Sequence, residues 1–134
     1  MDIKKLQEKA IKEEKERKIK ALEDCKSAIL YNIKNKMETN KVKKKTISFY
    51  TNSQYDIENL ANKEFVEEPL DIKLVKEYAL FKSDKFFLLS LDNKYYKVHE
   101  KPLKSNNHIT ITEVNEEEAK KMLQQSNEIM DDLF

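Results

Sequence analysis

No glycine occurs anywhere in the 134 residues, where average usage of about 7% would supply roughly nine. That absence constrains the fold and the chemistry together. Turns and helix ends that need a left-handed backbone must use Asn or Asp, the next most tolerant residues. Asn32, Asn35, Asn40, Asn93 and the pair at 106 and 107 are the candidates. Gly-rich phosphate loops, dinucleotide fingerprints and nucleophile elbows need glycine for positive φ or for close backbone approach, so this chain cannot build them.

The densest apolar sequence runs from Leu80 to Val98: Leu80-Phe81, then Phe86 to Leu91, then Tyr95, Tyr96 and Val98. Two polar breaks, Ser83-Asp84 and Asp92-Asn93, divide it into three runs of strand length, the pattern of an antiparallel meander with residues 86–91 in the middle. Phe86 and Leu88 fall on one face of that middle strand, and Phe87, Leu89 and Leu91 on the other. A strand apolar on both faces is one covered on both sides. One ring of the Tyr95-Tyr96 pair is therefore expected in the core.

Residues 2 to about 38 hold no proline and abound in Lys, Glu, Leu and Ala, which predicts one long helix. Glu8/Lys12, Glu13/Arg17, Glu14/Lys18 and Glu16/Lys20 are i,i+4 pairs in the favourable orientation. Such a helix spans about 55 Å, longer than a globule of some 100 residues, so one end must project. Ile19, Leu22, Ile29, Ile33 and Met37 form one apolar stripe, with Cys25 at its border, that docks on the sheet. Ile3, Leu6 and Ala10 form a second stripe about 150° around the helix from the first. Residues 1–18 thus read as a charged helical arm continuous with a single domain over 19–134.

Further along, residues 46–50 alternate as a strand. Residues 53–64 suggest a short helix capped by Ser53, with Ile57, Leu60 and Ala61 inward. Residues 70–77 fit either a helical turn capped by Asp71 or a lead-in to the meander. After a loop from Pro102 to Asn107, residues 109–113 read as a further strand. Asn115 then caps a final amphipathic helix carrying Ala119, Met122, Leu123, Ile129, Met130 and Leu133 inward, with Glu116 to Glu118 at its positive end. The expected fold is α+β: a mainly antiparallel sheet of four to five strands, its meander near residues 78–100, flanked by the long N-terminal helix and the C-terminal helix.

Charge and chemistry narrow the function. The net charge is +1, all but one of the 26 basic residues are lysine, and there is a single cysteine. One cysteine makes no internal disulfide, and no N-terminal apolar run resembles a signal peptide or a membrane span, so a cytoplasmic protein is expected. The balanced total lacks the basic footprint of a dedicated nucleic-acid binder. Residues 27–50 nevertheless carry +5, with Lys41, Lys43, Lys44 and Lys45 close to Tyr50, a mixture of cations and rings used on single-stranded nucleic acid. His99 and His108 could meet across strands and, with Asp92 or Glu113, imitate a hydrolytic or metal site, but no metal-ligand spacing supports it.

The leading expectation is a non-catalytic protein-binding module without a cofactor or metal, a small adaptor or inhibitor of the kind carried by phages and plasmids. Its partner-binding residues are Ile3, Leu6 and Ala10, and weak self-association through the same helix is the alternative use of that stripe. Nucleic-acid binding through Lys41 to Lys45 with Tyr50 is the second reading, and a hydrolytic or metal site around His99 and His108 the third.

Overall fold

The computed structural model describes residues 2–37, 45–52, 55–78 and 84–133, without the side chains of Tyr78 and of residues 126–133. The expected α+β architecture is present: a long N-terminal helix, a five-stranded antiparallel sheet and a C-terminal helix. The elements are α1 (Ile3–Asn32), β1 (Thr46–Thr51), a 3₁₀ helix (Ile57–Ala61), β2 (Asp71–Tyr78), β3 (Asp84–Leu91), β4 (Lys94–Pro102), β5 (Asn107–Val114) and α2 (Glu116–Leu133). Among the described residues no helix is long and apolar enough to cross a membrane.

The sheet order is β1-β5-β4-β3-β2. Strands β2 to β5 form a continuous meander, and β1 closes it by pairing with β5, Ile47 opposite Ile111. The β3–β4 hairpin turns on Asp92 (φ 50°) and Asn93 (φ 64°), the two positive-φ residues among those described. Both central residues of a two-residue type I′ turn need positive φ, and in a glycine-free chain Asp-Asn is the available chemistry. The other asparagines serve elsewhere. Asn32 and Asn35 lie in helix and donate from Nδ2 to the carbonyls of Ala28 (2.7 Å) and Tyr31 (3.1 Å). Such bonds compete with the helical ladder, and over Ile33–Met37 the helix widens into a π-helical turn, so the expected uniform α-helix stops at Asn32.

Strand β3, between β4 and the edge strand β2, is covered on both faces as its pattern requires. Phe87 and Leu89 (both 0% exposed) pack with Tyr96, Val98, Ile109, Ile111, Ile47 and Ile72. That layer is closed by Leu22, Cys25, Ile29, Ile33 and Met37 of the first helical segment, together with Ile57, Leu60, Val66 and Leu70. On the opposite face Leu88, Val75 and Val114 pack with Ala119 of α2, with Phe86, Tyr95, Met122 and Leu123 around them. Tyr96 is the tyrosine in the core; Tyr95 is half-buried beneath α2.

Several boundaries differ from expectation. All of residues 70–77 but Leu70 belong to strand β2 (Asp71–Tyr78), whose alternation breaks at Val75 because a bulge between Leu74 and Lys76 turns Val75 toward α2. The meander thus begins at Asp71, and Leu80, Phe81 and Ser83 lie outside the described residues. Asp84 opens β3 instead of breaking the chain, and Pro102 still belongs to β4. The short helix is a single 3₁₀ segment capped by Asp56, whose carboxylate accepts from the Glu58 N–H; Ser53 lies outside the described residues. Ala61 is exposed, since that 3₁₀ segment ends where its apolar face does. Asn115 caps α2 as expected, accepting at 2.8 Å from the Glu118 N–H. The inward side chains proposed at 129, 130 and 133 are outside the described set.

Candidate functional site

The most unusual chemistry in the fold is buried. In β4 the alternation Tyr96, Val98, Glu100 points all three side chains at the α1 layer, and Glu100 is 2% exposed. Its Oε2 accepts from the Ile57 N–H at 3.2 Å and from Asn107 Nδ2 at 3.4 Å. The Asp56 carboxyl lies against it and is paired with Lys85 Nζ, which also approaches Glu77 Oε1 at 4.0 Å. Burial, reinforced by the hydrogen bond and the charge of Asp56, pushes the Glu100 carboxyl up to about 8. Burial also opposes ionisation of Asp56, but hydrogen bonds from Lys85, Glu100 and the Glu58 N–H outweigh it and hold that carboxyl below its ordinary value. A protonated Glu100 thus donates to an ionised Asp56. With Glu100 buried and Asp56 partly exposed beside it, the pair is a clamp that fastens the 3₁₀ helix to β4. The neighbouring Cys25 thiol is buried, and desolvation with the Glu100 charge pushes it up to about 12, so it is an inert packed thiol.

The two histidines fall on the opposite, outer face of the sheet. His99 is paired in register with Thr110, and His108 with Lys101, so they are diagonal neighbours on adjacent strands. They are not joined to Asp92 or Glu113: Asp92 is in the β3–β4 turn, and Glu113, opposite Tyr96, belongs to the other face. Instead His99 Nε2 lies 3.1 Å from Asp84 Oδ2 and its ring stacks on Phe86 at 4.5 Å and 7°. His108 stacks on Tyr50 at 4.7 Å and 29°. Among the described residues no group of three His, Cys, Asp or Glu side chains is clustered to hold a metal.

Of the basic run and its neighbouring ring, Lys45 and Tyr50 are the described members, and they lie at opposite ends of β1. Lys45 lines a pocket of about 300 Å³ with Glu113, Val114, Asn115 and Glu118 at one end of β1, while Tyr50 stands at the other end. Five residues of strand separate them by about 17 Å. Lys41, Lys43 and Lys44 are outside the described residues.

Among the described residues, the first polar contact of α1 with the rest of the chain is at Glu14, whose Oε1 accepts from the Tyr55 hydroxyl at 2.7 Å. Lys15 pairs with Glu64 at 3.3 Å, and Lys18 lies over the Phe65 ring at 4.2 Å. Arg17 bonds Glu14 at 2.6 Å, one residue nearer than the i,i+4 partner expected for it. On the N-terminal side of Glu14 the helix exposes Ile3 (71%), Leu6 (49%) and Ile11 (70%), with Ala10 also exposed.

The chain matches no protein-family model, no curated protein and no solved structure. Its function is therefore read from its own surfaces. Two stand out: the bare apolar turns that open α1, and the outer sheet face beside α2. Ile11 was missing from the sequence's list of arm residues. At 100° per residue it lies about 80° from Ile3 and in line with Ile29, so it extends the docking stripe beyond the body instead of joining Leu6 and Ala10.

Proposed function

We propose that the protein is a non-catalytic binding module, an adaptor or inhibitor that captures a protein partner with the first three turns of α1. One observation carries this reading: Ile3, Leu6, Ala10 and Ile11 are exposed on a helix that makes no described contact with the body before Glu14. The first turns are continuous with the docked part of α1, so they extend a helix that is already nucleated, and an amphipathic helix laid into an apolar groove is a common recognition mode. The stripe spans only about three turns. Two copies packed through it alone would bury far less than the ~1,200 Å² of a stable interface, so a larger partner with a groove is favoured over self-association.

The test compares the full chain with a form lacking residues 1–12 and with an Ile3→Asp/Leu6→Asp double variant. Each is used as bait against extract, alongside light scattering and thermal melting. The expected result is an unchanged fold, with a partner that co-purifies with the full chain and is lost from both altered forms. Retention of the same mass and the same partners by the truncated chain refutes the proposal.

A further inference from the structure

The geometry points to a second, independent function: the outer face of β1, β5 and β4 is a binding platform for single-stranded RNA. α2 packs on this side of the sheet through Leu88, Val75 and Val114, toward β2, β3 and β4. Beyond it alternate side chains of β1 and β5 face outward. The register places them in rows: Tyr50 beside His108 and Lys101, then Ser48 beside Thr110 and His99, then Thr46 beside Thr112 and Lys97. Tyr50 is 65% exposed.

The chemistry of these rows selects the occupant. They contain no aliphatic side chain, so a protein partner would gain little from burying them. They do contain two ring pairs, Tyr50 on His108 and His99 on Phe86, one side-chain repeat or about 7 Å apart along the strands. Tyr50 is the ring among them that is open to solvent, the histidines are half-buried and Phe86 packs toward α2; an open ring flanked by a stacked partner is what an unpaired base stacks on. Lys101 ends the first row and Lys97, over the Phe86 ring at 5.1 Å, ends the third, which sets cations beside the rings for phosphate. The carboxylate on the platform, Asp84, is held by His99. The acidic start of α2, Glu116 to Glu118, follows Val114, about 20 Å along β5 from His108. In the second and third rows the hydroxyls pair across strands, Ser48 with Thr110 at 3.0 Å and Thr46 with Thr112 at 3.2 Å. Each pair uses one proton and leaves one to donate, beside acceptor lone pairs, the complement of a ribose 2′-hydroxyl.

The experiment is fluorescence anisotropy of the full-length chain with labelled oligouridine and oligoadenosine of about a dozen nucleotides. The matching oligodeoxynucleotides and a duplex are run beside them at about 50 mM salt. Saturable binding to the RNA strands is expected, weakening with salt at a log–log slope near −1.4 for two lysines. Tyr50→Ala and His108→Ala should each reduce affinity roughly 5- to 100-fold, as loss of one stacked base does, whereas Tyr50→Phe keeps the ring and the affinity. Circular dichroism verifies that each variant is folded. Absence of saturable binding, undiminished affinity in folded Tyr50→Ala, or equal affinity for the matching DNA overturns the assignment. None of these outcomes depends on the arm, so deletion of residues 1–12 must leave RNA affinity unchanged.

Discussion

Replacing Glu100 by Gln tests the buried clamp directly, because the amide keeps an oxygen for the Ile57 N–H and a donor for Asp56 while removing the titration. In the native protein the carboxyl is shifted from 4.5 to about 8, chiefly by burial and then by Asp56. Below about 4.5 it is protonated both folded and unfolded, and the clamp carries no proton cost. Between there and about 8 the folded chain retains a proton that the unfolded chain has released, so stability falls as pH rises. At about 1.4 kcal/mol per pH unit the full shift corresponds to ~5 kcal/mol. Relaxation and water penetration around the nascent ion reduce that to about 2–4 kcal/mol between about pH 5 and pH 8. Asp56, held low, acts with the opposite sign and only in acid, where protonation below its unfolded value removes its contribution. Lys85, facing the pair from β3, is kept charged above its usual range despite burial, so it does not titrate in this window. Thermal melting of both proteins across that range is the assay. The Gln variant should match the native protein near pH 5 and melt higher near pH 8 by roughly 6–15 °C, at some 3–4 °C per kcal/mol for a chain of this size. Melting curves that run parallel in pH would show that Glu100 is ionised in the folded state and that the clamp is not a shared-proton pair.

Leu89→Ala empties a fully buried site on β3 and should cost about 2–5 kcal/mol by chemical denaturation, with aggregation from the uncovered Phe-Phe-Leu-Leu run; an unchanged midpoint would mean that this face of β3 is not packed in the core. Asn93→Val forces a β-branched residue to the φ of 64° that closes the β3–β4 hairpin. It should lose about 1–2 kcal/mol by denaturant titration, whereas no loss would show that the turn adopts another geometry.

How far the fold was legible depended on whether neighbouring signals agreed. β3 and its turn to β4 were readable because strand-formers, two-sided apolarity and Asp-Asn turn chemistry all pointed one way. β2 was ambiguous because the bulge at Val75 breaks the period-two pattern exactly where lysines 73 and 76 interrupt the apolar residues. The 3₁₀ helix was overlong in prospect because its true cap, Asp56, is held by Lys85 from a distant strand, a contact that local pattern does not contain. Glu100 could have been found: the same alternation that buried Tyr96 and Val98 carries it inward, and a carboxyl on a core face needs a partner. The outer platform was invisible as a unit, since Tyr50, His108 and Lys101 become neighbours only through the β1–β5–β4 register.

The pairing of β1 with β5 also sets an order of events during synthesis. Ile47 emerges from the ribosome well before its partner Ile111, and at about 5–20 residues per second the intervening chain takes roughly 3–13 s to make. Throughout that interval α1 is complete, with Leu22, Ile29 and Ile33 uncovered, while the hairpins of β2 to β5 can close on microsecond scales as they appear. The nascent chain is thus an exposed amphipathic helix waiting for a sheet that assembles from its C-terminal side. Collapse onto the finished meander becomes the step at which chaperones compete with folding.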